Sequence, residues 1–200
     1  MVREGDTDGA DGSGDGSDDD AELLARSARG DRRAFDAIVA RHGPLALRVA
    51  ARMAPDRQSA EDIAQEAMFR VWRRADEFDA RRARFTTWLY RIVVNLCIDS
   101  RRRPRPAPLP EGYDPVDPAA SASAAVEIDE RRAALARAID ELPSGQRAAL
   151  TLVYDEGLSG AEAARVLGVS IKAVERLLAR ARARLRDILA ADCERSKVSI

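Results

Sequence analysis

Sulfur and imidazole are scarce in this 200-residue chain. It holds two cysteines and one histidine. Cys97 and Cys193 are far apart and form no CxxC spacing, so neither a disulfide framework nor a zinc site is indicated. Cys97 lies in an apolar run and reads as a small buried hydrophobe. His42 stands beside Gly43 and Pro44, where a helix break and a structural role are expected. There is no G-x-x-x-x-G-K-[ST], no H-E-x-x-H and no G-x-S-x-G. The paired carboxylates Glu61 and Asp62 sit on a helical pattern without sign of a cleft. Neither catalysis nor a cofactor or metal is expected. Aromatics are only 4% of residues, and no β-alternation is sustained, which argues against a β-sandwich. A run of about 18 apolar residues is missing, as is a basic-then-apolar leader. The expectation is a soluble protein of the reducing cytoplasm, without membrane insertion.

Charge is abundant, at 34% of residues, and its distribution matters more than its sum of −1. Residues 1–22 carry nine acids (Glu4, Asp6, Asp8, Asp11, Asp15, Asp18, Asp19, Asp20 and Glu22) and one base, Arg3. Residues 23–200 then hold 32 bases against 25 acids, about +7. A basic body of this kind suits a polyanion. The Gly/Asp/Ser tract 1–20 cannot bury enough apolar surface to order itself and is expected to be a disordered acidic tail. Asp11, Ser13, Asp15, Gly16 and Glu22 fall at EF-hand spacing, but no helix is expected before them, so a solvated tail is the better reading.

A second break is set by proline. Pro104, Pro106, Pro108, Pro110, Pro115 and Pro118 are six of the nine in the chain. They favour extended backbone and remove donors, so 104–125 reads as a flexible linker. It separates a module at 21–103 from one at 126–191, with a tail at 192–200. In the first, Asp31 caps a helix with Phe35, Ile38 and Val39 on its apolar side, and Pro44 restarts a helix through Met53. Ser59 and Asp62 form a capping-box signal for a helix to about Ala75, and another helix runs from Phe85 to Arg101–Arg103. In the second, helices are expected over 126–141, 143–154, 159–167 and 170–189. The fold class is all-α: two small helical domains joined by a Pro-rich linker, the C-terminal one containing a helix-turn-helix.

Three constellations carry function. Ala164, Gly168 and Val174 have helix-turn-helix spacing: a small residue for close approach, a glycine for the turn, a branched residue for the core. Leu167, Val169, Leu177 and Leu178 are expected to support that packing. From Arg165 to Arg186 there are seven bases and a single acid, Glu175. Solvated faces usually mix signs, so this stretch suits a DNA major groove. On the helix from Phe85, Trp88, Arg91, Asn95, Asp99 and Arg102 form one stripe, opposite Leu89, Val93, Leu96 and Cys97. Preceded by Arg81, Arg82 and Arg84, the stripe suits single-stranded DNA, where an aromatic stacks on bases. Trp88 fits this role and a core role equally, whereas Tyr90 reads as a core aromatic. On the helix from Ser59, Asp62, Gln65, Glu66, Phe69 and Arg73 share one face, opposite Ile63, Ala67 and Val71. Phe69 on a polar face points to a protein contact with an apolar centre.

Together these segments resemble the extracytoplasmic-function sigma factors. GDRRAFDAIVARHGPLALRVAARM is similar to the opening of their first conserved domain, AEDIAQEAMFRVWRRADEFD to their polymerase-binding helix, and FTTWLYRIVVNLCIDSRRR to their promoter-melting helix. ELPSGQRAALTLVYDEGLSGAEAARVLGVSIKAVERLLARARARLR resembles their second domain. The resemblance spans about Glu22 to Leu189. It implies that Asp62, Gln65, Glu66 and Phe69 meet the β′ clamp helices of core RNA polymerase, and that the second domain sits on the β flap. Arg81, Arg84, Thr87, Trp88, Arg91, Asn95 and Arg102 would open and read the −10 element. Ser170, Lys172, Ala173, Arg176 and Arg180 would contact the −35 element, and the linker would thread through the polymerase. An anti-sigma factor is an expected partner beside polymerase and promoter DNA. Family members often carry Lys-Ser-Arg-Leu after the recognition-helix valine, where this chain has Glu175, Arg176, Leu177 and Leu178. A plain helix-turn-helix regulator with a sensor domain is the competing reading.

Overall fold

Residues 16–102 and 123–198 are described by a computed structural model. Every element among them is helical. The first module comprises α1 (Gly16–Ala28), α2 (Arg32–Met53), α3 (Arg57–Arg73), a 3₁₀ turn at Ala75–Glu77 and α4 (Phe85–Arg102). The second comprises α5 (Ser123–Asp140), α6 (Ser144–Leu150) continuing into a π-helical turn (Thr151–Asp155), α7 (Gly160–Leu167) and α8 (Ile171–Val198).

Local chemistry starts α2. The Asp31 carboxylate accepts from the backbone N–H groups of Arg33 (3.0 Å) and Ala34 (3.2 Å), two donors that have no intrahelical acceptor. Arg26 holds the same carboxylate at 2.8 Å and, with those N–H groups, keeps its pKa below the usual range. α2 then buries Ala34, Ile38, His42, Ala46, Val49, Ala50 and Met53, one stripe at helical spacing. α3 answers with Ala60, Ile63, Ala64, Ala67, Met68 and Val71. α4 closes the bundle with Phe85, Leu89, Val93 and Cys97, each at most 1% exposed. Burying one such large apolar side chain stabilises the fold by about 1.5–3 kcal/mol. Burial also pushes the Cys97 thiol up to about 12, as its reading as a small hydrophobe requires.

Several expectations are corrected. The acidic tail 1–20 gives way to helix at Gly16. Asp20 is only 4% exposed, because His42 (2.9 Å) and Arg41 (2.6 Å) satisfy it. Paired in this way, a buried acid no longer opposes order. The same helix runs through Gly16–Glu22, where a calcium loop would be irregular. Pro44 lies inside α2 rather than restarting it. Its ring and Ala40, whose carbonyl loses a donor, are both on the exposed side, where the carbonyl is open to solvent. The cap of α3 is Asp56, not Ser59: the Asp56 carboxylate accepts from the Ser59 N–H (2.7 Å) and hydroxyl (2.6 Å), which makes Ser59 a buried residue of the first turn. α5 begins at Ser123, inside the expected linker, and α8 runs on to Val198, through most of the expected C-terminal tail. The remainder of the tail 1–20, most of the linker 104–125 and residues 199–200 lie outside the described residues.

The two modules pack on each other. Ala148, Leu152, Ala163, Ala164, Val166 and Val174 share one continuous core with α2, α3 and α4. The reason lies in α4, which is apolar on more than its inward face. Tyr90, Ile92 and Val94 are also buried, at 6%, 7% and 1% exposure, and α6 and α7 contact this helix. Polar bonds frame the contact. Arg48 of α2 and Tyr90 of α4 reach Glu156, which follows the π turn. Arg101 of α4 donates to the Met53 carbonyl at 3.0 Å and approaches Asp140 at 3.7 Å.

Candidate nucleic-acid interface

The stripe on α4 is laid out as its spacing implies. Arg91, Asn95 and Asp99 are exposed, and Thr87 and Trp88 half-buried. Arg102 ends the helix, and its side chain lies outside the described set. Trp88 packs at 5.5 Å from the Phe78 ring and 6.0 Å from Phe85, with part of its indole open. The ring therefore packs on the core and is half-buried, with features of both readings. A pocket of about 360 Å³ lies beside it, lined by Phe78, Thr87 and Trp88, by Arg82, Arg91 and Arg165, and by the acids Glu77 and Asp79. Arg165 comes from α7, and nothing in the sequence placed it there. Arg81 and Arg84 are exposed in the loop before α4. Asp79 holds Arg81 at 3.0 Å and Arg82 at 3.6 Å, and Arg81 in turn keeps the Asp79 carboxyl below its usual pKa. Exposed pairs of this kind contribute little to stability.

α3 presents Asp62, Gln65, Glu66 and Phe69 together on its exposed face. Gln58 donates to Asp62 (3.0 Å), Arg70 pairs with Glu66 (2.8 Å), and Arg73 lies 5.8 Å from the centre of the Phe69 ring. Phe69 is 53% exposed although its helix neighbours Met68 and Val71 are buried.

The helix-turn-helix is built from caps. Ser159 and Glu162 form a reciprocal capping box at the start of α7. Gly168 ends it at φ +67°, in the left-handed region, with Val169 N–H donating to the Ala164 carbonyl at 3.1 Å. Ser170 starts α8, its hydroxyl accepting from Ala173 N–H at 3.2 Å. Ala164 and Val174 are buried as the motif requires, whereas Val169 is 41% exposed and does not support the packing. The glycine turn projects it outward. Ser170, Lys172, Arg176 and Arg180 are exposed on one side of α8, with Ala173 half-buried and Glu175 exposed among them.

Residues 38–106 match the family model for sigma-70 region 2, and residues 132–185 the model for sigma-70 region 4. The chain is 40% identical over 173 residues to the ECF RNA polymerase sigma factor SigM of Mycobacterium tuberculosis, across 85% of this chain and 84% of that protein. This chain belongs to the extracytoplasmic-function sigma factors. The sigma factor CnrH of Cupriavidus metallidurans is 33% identical, covering 89% of this chain and 98% of CnrH. The solved structure of CnrH in complex with the cytosolic domain of CnrY superposes with a TM-score of 0.62 over 86% of this chain and 98% of that one. RpoE in complex with the anti-sigma factor NepR, from Bartonella quintana, shares the fold at 22% identity and a TM-score of 0.56, over 79% of this chain and 98% of that one. The sigma factor is thus a transcription initiation factor. Its region 2 match covers α3 and α4, which replaces the sensor domain of the competing reading. Its region 4 match contains the helix-turn-helix.

Proposed function

We propose that this sigma factor binds core RNA polymerase through α3, opens the −10 element with α4 and reads the −35 element with α8. Asp62, Gln65, Glu66 and Phe69 form an apolar centre with a polar rim, suited to the β′ clamp helices. Arg81, Arg84, Arg91 and Arg102 neutralise the backbone of the displaced strand. Trp88 stacks on a base, with Thr87 and Asn95 as hydrogen-bonding groups beside it. Capture of a flipped base offsets a few kcal/mol of unstacking. Lys172, Arg176 and Arg180 meet duplex phosphates and base edges, joined by Ser170 and Ala173 at the start of the helix. Glu175 accepts from a cytosine amine. Region 4 rests on the β flap, and the protein works in the cytoplasm without catalytic chemistry of its own.

Control by an anti-sigma factor is part of the proposal. RpoE of Bartonella quintana, which shares the fold, is solved in complex with the anti-sigma factor NepR. Here a groove of about 920 Å³ runs between α2 and α5, with Leu47, Leu135 and Tyr154 exposed along it by 40%, 42% and 59%.

The observation that carries the reading is Trp88, packed on Phe78 beside a pocket where Arg82, Arg91 and Arg165 outnumber Glu77 and Asp79. Purified protein added to core polymerase is expected to direct initiation at one position on linear promoter DNA. Phe69→Glu is expected to abolish this while leaving duplex binding intact. Transcription no different from core polymerase alone would overturn the proposal.

A further inference from the structure

Glu156 is the acid that ties the second module to the first. Its side chain is 1% exposed. Both of its side-chain partners come from the first module: Arg48 donates from Nε (2.8 Å) and Nη2 (2.6 Å), and the Tyr90 hydroxyl donates at 2.8 Å. Arg52 adds positive charge nearby. A carboxylate taken out of water is costly unless it is paired, and this one is paired only when the modules are closed. A second cluster repeats the arrangement. Arg147 of α6 is wholly buried, donates to the Asp140 side chain at 2.6 Å and reaches the Met53 carbonyl at 3.5 Å. Asp140 is shared with Arg101 of α4, an arginine from the basic run that ends that helix.

The closed arrangement is incompatible with reading a promoter. Arg165 of α7 lines the same pocket as Trp88 and Arg91 of α4. The helix-turn-helix therefore touches the strand-opening surface. The −10 and −35 elements are about 25 base pairs apart, about 85 Å at 3.4 Å per pair. The modules must separate before both can be occupied, and the contacts that break are the apolar ones around Leu152 and Val94 together with charged ones whose members regain water.

We propose that the Arg48–Glu156–Tyr90 cluster is a lock in cis that holds the free sigma factor closed and withholds its α4 surface from DNA until polymerase or promoter separates the modules. The lock rests on the assignment of α4 to the −10 strand only for its consequence, not for the closure itself. Paired charges in an otherwise apolar contact fix one register at little net gain in stability, which is what a reversible closure needs.

Dyes at Glu22→Cys and Arg184→Cys, with Cys193→Ser, report closure without any DNA. The wild type is expected to give one high-efficiency population. Arg48→Glu and Glu156→Arg should each shift it to low efficiency, and the two combined should restore it. Glu156→Gln, which keeps the volume, should also open. Opened variants should bind a single-stranded −10 oligonucleotide roughly tenfold more tightly, since the competent fraction rises. Single variants that keep the wild-type dye distribution, or a combined variant that stays open with full helix content, would overturn the lock. Should Trp88→Ala leave oligonucleotide binding unchanged in an opened variant, the −10 assignment fails while the lock still stands on the dye distances.

Discussion

Trp88 and Phe69 show how much one side chain reveals by where it is left. Both are large aromatics on polar stripes, and an aromatic that covers its own core would be hidden. Phe69 is more than half exposed, and Trp88 lies against Phe78 beside a pocket where arginines outnumber acids. Stacking on a base contributes about 1–3 kcal/mol, so Trp88→Ala is expected to weaken single-stranded −10 binding by about 5- to 150-fold. Helix content should hardly change, because Phe78 and Phe85 still pack on each other at 5.9 Å. Fluorescence anisotropy with a labelled oligonucleotide checks both the direction and the size. The polar stripes were legible in the sequence because exposed residues on a helix recur at a fixed period. Glu156 was not legible: its partners Arg48 and Tyr90 are 108 and 66 residues away, a pairing that no local pattern encodes. Arg165 was missed at the −10 pocket for the same reason, since only the packing of α7 on α4 brings it there.

Helix existence and type followed from periodicity, and helix ends did not. Where a boundary is written in local chemistry, as at Asp31, Ser159 and Gly168, the sequence and the structure agree. Where a tertiary partner decides, they part. Asp20 joins a helix because His42 and Arg41 wait for it, and Ser59 loses the cap to Asp56 because its own position is buried. Gly168 offers a test of the local kind. A Cβ there meets no atom within 4 Å, so any penalty for Gly168→Ala comes from its φ of +67° alone. The left-handed region costs an L-residue about 1–2 kcal/mol. A change of 1 kcal/mol moves the midpoint of a protein of this size by about 2–4 °C. Thermal unfolding followed by circular dichroism is therefore expected to shift down by about 2–8 °C. Retention of −35 duplex binding below the transition would show that the turn is strained but not rearranged. An unchanged midpoint would mean that the turn accommodates a side chain, contrary to its geometry.

At the scale of the whole molecule, the chain contains a region 2 module and a region 4 module, for which distinct DNA tasks are proposed, and a contact that joins them. The two-module division was visible as a proline-rich break, whereas the closure was not, because α4 reads as an amphipathic helix with one inward face. Its second apolar side, Tyr90, Ile92 and Val94, has meaning only once α6 and α7 cover it. The chemistry of that closure gives it a pH dependence. Arg48, and then Tyr90, hold the Glu156 carboxyl below its usual pKa, although burial opposes them. A carboxylate whose pKa is lowered in the closed state stabilises closure fully above its ordinary value of about 4.3. That contribution is lost as the pH falls through the lowered value. The dye pair is therefore expected to lengthen as the pH falls below about 4.3, where Arg48 and Arg52 lose the counter-charge between them. Glu77, Asp79 and Glu162 are also held low, chiefly by Arg74, Arg81 and Ser159 of their own modules, so helix content is followed alongside the dye distance. Glu156→Gln should remove the acid-dependent step in dye distance while leaving any later loss of helix in place. If distance and helix content instead fall together in both proteins, the modules unfold as one unit and acid does not open the contact.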